Sequence, residues 1–196
     1  EEVRVANPVA EVTYAGSAKV TVDLSAGQMD LVISGTGANN ETKSFNFAVL
    51  KTVSELASEV NKVEGVKMNV SNGSYDTTKL FLNSAATNQL TNNALYVYPA
   101  GSSDVTTDDL RAALGENGIS IKQLGNGADA SYQIRMGVGE GDAQNDLQAS
   151  VNNKLYNKFG KEKVAIVKTD FIGAGMSKST TMKSIIMFIC VVLLIW

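Results

Sequence analysis

Histidine is absent from this chain of 196 residues, which removes the commonest general base and the commonest metal ligand. Cysteine is almost absent. The single one, Cys190, sits in an apolar run near the C-terminus, so the rest of the chain offers no disulfide, no thiol nucleophile and no zinc cluster. Clustered positive charge is missing too: 17 Lys and Arg are scattered among 20 Asp and Glu, for a net charge of −3, and a nucleic-acid partner is excluded. The N-terminus carries no secretory signal pattern. The chain opens on Val3-Arg4-Val5, which reads as a strand entered mid-stream, with any upstream segment removed.

The longest apolar run, Ile185 to Trp196, contains no charge, no Gly and no Pro. A membrane-spanning helix needs about 20 such residues, so the run reads as the first half of a transmembrane helix. A buried core helix normally keeps a polar face, and this run has none. The residues before it are then expected to form a water-exposed domain hung from a bilayer. Lys178 and Lys183 flank the run. The excess of Lys and Arg on cytoplasmic flanks would assign them to the cytoplasm, although long Lys stems also reach headgroups from either side.

Two textures divide the remainder. Residues 9–98 are rich in Thr, Ser, Asn and Gly. Lys19 to Leu24 and Gln28 to Ile33 alternate polar and apolar around Ala26-Gly27, a hairpin signal. Ser44 to Val49 alternates again. Thr52 and Glu55 form a capping-box pattern that predicts a helix with Leu56, Val60 and Val63 on one face, ended by Gly65. Val66 to Val70 and Lys79 to Leu82 predict two short strands around the turn Ser71 to Ser74. Tyr96-Val97-Tyr98 is a candidate returning strand.

Residues 99–173 predict a helix capped by Thr106 or Thr107, holding Leu110, Ala113 and Leu114 and ending near Gly115. A strand follows over Ile119 to Leu124, then another over Ser131 to Met136. A longer helix is expected from Asp142 to Phe159 with Leu147, Val151, Leu155 and Phe159 as its buried stripe. Val164 to Val167 predicts a strand apolar on both faces. With Glu2 to Val5 in front, the order is β-α-β-β-α-β, the plan of a ferredoxin-like sandwich. The expected class is therefore α+β. A ferredoxin-like base (residues 1–8 and 99–173) carries an inserted small α+β module (residues 9–98), and 174–196 form a linker and the start of the transmembrane helix. Such an insertion is tolerated because loop-closure entropy grows slowly with length.

Several motifs in the base have recognisable company. Asp109 to Leu114 contains Arg111-x-x-Leu114, Ile121 to Gly125 ends Gln123-x-Gly125, and Ile134-Arg135-Met136 closes a strand. Asp170 to Lys178, with Phe171, Gly173 and Gly175, leads towards the apolar run. Taken in this order, residues 1–8 and 100–196 resemble the first extracytoplasmic domain of the SecF family and the start of its second transmembrane helix. Three features depart from the family pattern: Ala174 stands where the family has Pro, the family's Asp-Phe-x-Gly-Gly motif is absent because the chain starts after it, and residues 9–98 are extra. Leu56 to Val70 separately resembles modules of flagellar-type surface proteins.

The resemblance implies a non-enzymatic part of the protein-export machinery in the cytoplasmic (inner) membrane, with residues 1 to about 175 on the extracytoplasmic side. Implied partners are a SecD-like subunit, the SecYEG channel, the translocating polypeptide and, through the C-terminal helix, membrane lipid. No cofactor, metal or nucleic acid is implied. Arg111, Leu114, Gln123, Gly125, Arg135, Phe171, Gly173 and Gly175 are the family-motif positions, expected to serve interaction or hinge motion and not catalysis. The family's proton-relay carboxylates lie in later transmembrane helices.

Sharper chemical readings are weaker on physical grounds. Gly137 to Asp142 falls between a strand and a helix, as a phosphate-cradling turn does. Its third glycine comes one position early, and Glu140 and Asp142 would repel phosphate, so Asp142 is expected to be a helix N-cap. Glu140, Asp142 and Asp146 lack the spacing of a calcium loop. Asp108 and Asp109 are helix neighbours that do not face each other. Three sequons, at Asn40, Asn69 and Asn72, are of the kind that Ser- and Asn-rich chains produce by chance. The competing functional classes are a surface or adhesion module anchored by one helix, and an enzyme using the Gly137–Gly141 loop.

Overall fold

A computed structural model describes residues 1–35, 40–84, 87–101, 105–115, 118–126, 130–137, 144–170 and 187. In chain order the described elements are β1 (Glu2–Val5), β2 (Ala10–Tyr14), β3 (Lys19–Leu24), β4 (Gln28–Ser34), β5 (Glu41–Asn46), α1 (Val53–Val60), β6 (Val66–Val70), β7 (Leu80–Leu82), β8 (Leu95–Pro99), α2 (Thr107–Leu114), β9 (Ile119–Leu124), β10 (Ser131–Met136), α3 (Gln144–Phe159) and β11 (Val164–Lys168). A 3₁₀ turn over Thr77–Lys79 precedes β7. The class is α+β. Three sheets, β11-β1-β10-β9, β6-β2-β8-β7 and β3-β4-β5, are antiparallel at every pairing. Among the described residues no helix is long and apolar enough to cross a membrane. The apolar run Ile185 to Trp196 lies outside them, apart from Met187.

The alternation of β3 and β4 acts as the sequence suggests. Val20, Val22, Met29 and Leu31 are turned inward at 0–1 % exposure. The turn is closed by the Ser25 N–H donating to the Gln28 carbonyl at 3.0 Å. At α1 the capping box is complete: the Glu55 N–H donates to Thr52 Oγ1 at 3.3 Å, and the Thr52 N–H donates to Glu55 Oε2 at 3.0 Å. These bonds satisfy donors that a helix start otherwise orphans.

Four expectations shift. The helix ends at Val60 with Asn61 as its cap, well before Gly65. The cause is the Asn61 side chain, which receives the Met68 N–H at 2.7 Å and donates to the Met68 carbonyl at 3.2 Å. One amide thus closes the outer edge of β6 as a strand would. Val63, now outside the helix, still packs on the core. Gly65 is in the left-handed region (φ +76°), and a Cβ there would come 2.7 Å from the Ala15 carbonyl oxygen. The strand expected at 44–49 runs instead over Glu41–Asn46, because the Asn46 side chain accepts the Ala48 N–H at 2.8 Å and folds the chain back. The expected strand from Lys79 begins one residue later, after the 3₁₀ turn. β2 was not anticipated, although it is the strand between β6 and β8.

The buried apolar side chains fall into two clusters. One runs from Val9 to Val97 and includes Val12, Val20, Leu31, Leu56 and Val60. The other joins Val3 and Val5 to Leu110, Leu114, Ile121, Ile134, Val151, Leu155 and Ile166. Of the stripe expected on α3, Val151 and Leu155 are buried, while Leu147 and Phe159 are partly so. Between the clusters lies a seam. The Arg4 guanidinium stacks 4.6 Å over the Phe81 ring, and Phe81 lies 5.5 Å from the Tyr98 ring. The Ser84 N–H and hydroxyl donate to the Ile166 carbonyl at 2.8 and 2.7 Å, and the Ile166 N–H donates to Asn83 Oδ1 at 3.2 Å.

Replacing Asn61 by Ala removes both bonds to Met68 and leaves a strand edge open. The expected cost is about 1–2 kcal/mol, read as a lower urea midpoint with an unchanged slope.

Candidate functional site

Among the described residues, the motif positions of the base do not converge. Arg111 lies on the exposed side of α2, paired with Asp108 at 2.8 Å one turn away. Leu114, on the same helix, is 2 % exposed and belongs to the core. The backbone carbonyl of Leu114 accepts the Lys154 ammonium of α3 at 3.0 Å, a cation at a helix C-terminus. Gln123 is exposed and folds back, its amide donating to the Gly125 carbonyl at 3.3 Å; Gly125 turns the chain at φ +70°. Arg135 stands opposite Ser120, and Gln123 stands opposite Tyr132. Ser120 and Gln123 are an odd number of residues apart, so Gln123 and Arg135 project from opposite faces of the sheet. Phe171, Gly173 and Gly175 lie outside the described residues, as do Glu140 and Asp142. Asp146 is exposed on α3.

The two aspartates beginning α2 have separate uses. Asp108 pairs with Arg111. Asp109 completes a second capping box, accepting the Thr106 hydroxyl at 2.7 Å and the Thr106 N–H at 2.9 Å. The hydroxyl bond, then the backbone bond, hold the Asp109 carboxyl below the usual carboxylate range. Backbone N–H donors of Thr52 and Lys51 do the same for Glu55, and the Thr78 hydroxyl and N–H for Asp76. In the seam, burial pushes the Tyr98 phenol well above its ordinary value, so it stays neutral. Tyr132 donates its hydroxyl to the Val105 carbonyl, tying the segment before α2 to β10.

A concavity lies in the other half. A cleft of about 860 Å³ opens between β5, the turn after α1 and the loop from Tyr14 to Ala18. Its apolar lining includes Val20, Ile33, Phe45 and Val63. Charged side chains stand on both lips. Lys43 pairs with Glu41 at 2.9 Å on one, and Lys62 pairs with Glu59 at 2.6 Å on the other. The Tyr14 hydroxyl accepts the Ala18 N–H at 3.3 Å, and the ring packs against Gly16 and Gly65, where a Cβ would collide with it. Glycine at both positions therefore shapes one wall. This cleft could not be read from the sequence, because its walls come from segments far apart in the chain and no local motif marks them.

The chain matches no protein-family model and no curated protein.

Two outcomes follow from this geometry. Arg111→Ala should change stability by less than about 0.5 kcal/mol, because the pair is exposed, whereas Leu114→Ala should cost about 2–5 kcal/mol; urea unfolding separates the two. Glu55, Asp76 and Asp109 have folded pKa values below their unfolded ones. Their contribution is present above the unfolded value, near 4, and is lost as pH falls through the folded values. Stability should hold from pH 7 to about 5 and decline towards pH 3, with a shallower decline in a Glu55→Gln, Asp109→Asn double variant.

Proposed function

We propose that this chain is the first extracytoplasmic region of a SecF-type subunit, which aids proton-motive-force-driven export of polypeptides across the cytoplasmic membrane. One observation carries the reading. β1 and β11 are antiparallel neighbours, Glu2 stands opposite Lys168, and the Thr169 hydroxyl donates to Glu1 Oε1 at 3.4 Å. The chain thus enters and leaves this sheet at the same point. A domain held between consecutive membrane spans must return its chain to the surface it left. The apolar run Ile185 to Trp196 follows shortly after that point, and residues 9–98 leave from the opposite end of β1.

The sheet order supports a ferredoxin-like reading of residues 1–8 and 99–173. With β1, β9, β10 and β11 taken as first to fourth, the order is fourth-first-third-second. α2 joins β9 to the preceding chain, and α3 joins β10 to β11. The scatter of Arg111, Gln123 and Arg135 over separate surfaces suits a part that touches several neighbours better than one that performs chemistry. Its partners would be a SecD-like subunit, the SecYEG channel and the translocating chain, with lipid around the C-terminal helix. Gly173 and Gly175 would supply the hinge between domain and membrane.

The test uses the full-length protein in its own membrane, with every native cysteine, Cys190 among them, replaced by Ser and Val49→Cys providing the one thiol. Val49 is 74 % exposed. A membrane-impermeant maleimide should label it in intact spheroplasts, and depletion of the protein should slow maturation of exported proteins. Labelling only after permeabilisation overturns the topology. Correct labelling with unchanged export overturns the transport role and leaves an anchored surface module in its place.

A further inference from the structure

The geometry points to the edge of β5, together with the cleft beside it, as a binding site for an extended polypeptide segment, which adds to sheet β3-β4-β5 as a fourth strand. This deepens the export reading and rests on it only for the source of the polypeptide, a chain in transit. The recognition chemistry is argued from β5 itself.

The first observation is which residues line the cleft. Glu41, Thr42, Lys43, Ser44 and Phe45 all do. Successive side chains of a strand point to opposite faces, so five consecutive residues line one cavity only if it runs along the strand's edge. The second is where their backbone groups point. The register places Gln28 opposite Asn46, and one step on the Phe47 N–H donates to the Gly27 carbonyl at 2.9 Å. Hydrogen-bonded pairs alternate along an antiparallel ladder, so Phe45, Lys43 and Glu41 also bond to β4, while Thr42 and Ser44 turn their N–H and C=O groups away from it. Asn46 has the same parity, and its carbonyl is indeed turned away, accepting the Leu50 N–H at 2.9 Å. Among the described residues nothing else pairs with the backbone of Thr42 or Ser44.

The other edge of the same sheet is closed. Val22 N–H donates to the Asn88 carbonyl, and Leu90 N–H donates to the Val20 carbonyl, each at 2.8 Å. The open groups on β5 are two residues apart, which is the repeat of another strand. A guest strand would direct alternate side chains towards the apolar lining between the charged lips. Main-chain bonds with few side-chain demands give sequence-tolerant binding of unfolded chain.

The test measures amide hydrogen exchange in the full chain, in detergent micelles, with reduced carboxymethylated α-lactalbumin as a permanently unfolded probe. The probe should slow exchange at Thr42 and Ser44 at least tenfold and leave Lys43 and Phe45, already bonded to β4, unchanged. Ser44→Pro removes one outward N–H without touching the β4 ladder, a placement edge strands accept. It should weaken binding by tenfold or more, while Ser44→Ala, which keeps the N–H, should bind like the parent. Thr42→Pro gives the same comparison if Ser44→Pro fails to fold. Unchanged exchange at both amides with saturating probe overturns the site, as does undiminished binding by a folded Pro variant. Protection that rises with protein concentration in the absence of probe assigns the edge to a second copy of the chain and also overturns it. A site that passes in a protein whose Val49→Cys thiol is reached only from the cytoplasm would stand while the export reading fell.

Discussion

A strand at the margin of a sheet leaves a row of unpaired N–H and C=O groups, and much of this fold is organised around where those groups go. Three margins are closed by different means. The Asn61 side chain closes β6 at Met68. The segment 88–90 closes β3 with backbone bonds. Asn83 and Ser84 close β11 at Ile166. The last closure also fastens the 9–98 region to the base, so one set of bonds both hides an edge and joins two parts of the chain.

That join is polar where the cores are apolar. Each buried cluster is largely complete within its own half, and the seam adds a few hydrogen bonds and the stack of Arg4 on Phe81. Arg4 Nε is buried and without a hydrogen-bond partner among the described residues, and the guanidinium lies over the Phe81 ring. A cation over an aromatic face contributes about 0.5–2 kcal/mol, less than a single buried leucine. The buried apolar side chains thus form two separate cores, and the bonds described between them are few. That division follows from Val3 and Val5 siding with Leu110 to Ile166, and Val9 and Val12 siding with Val97.

How much of this was legible in the residues depends on the range of the forces. The two capping boxes, the β3–β4 hairpin and most other elements rest on patterns spanning a few residues, so Thr52, Glu55, Thr106 and Ala26-Gly27 announce themselves. The early stop of α1 does not, because Asn61 is drawn off by Met68, seven residues away and on another element. β2 was legible and missed: Ala10 to Tyr14 alternates apolar and polar strictly, the same signal as β3 and β4, and only its place between β6 and β8 depends on distant segments. The motif residues were found as sequence, but only the register shows that Gln123 and Arg135 face apart. The cleft was invisible, since Tyr14, Ile33, Phe45 and Val63 meet only after three separate segments have packed.

The open margin at β5 also sets how tightly it can hold anything. Thr42 and Ser44 offer four main-chain groups, each worth about 0.5–1.5 kcal/mol net once exchange with water is counted. The sum, about 2–6 kcal/mol, must still overcome the ordering of a flexible guest, and 1 µM affinity already requires about 8 kcal/mol. Apolar contacts with the partly exposed Ile33 and Val63 can add to it, but the paired charges on the lips limit how much apolar surface a guest buries there. Lys43 and Glu41 also discourage permanent edge-to-edge association. An edge of this strength would therefore hold an extended segment weakly and reversibly, with little regard to its sequence.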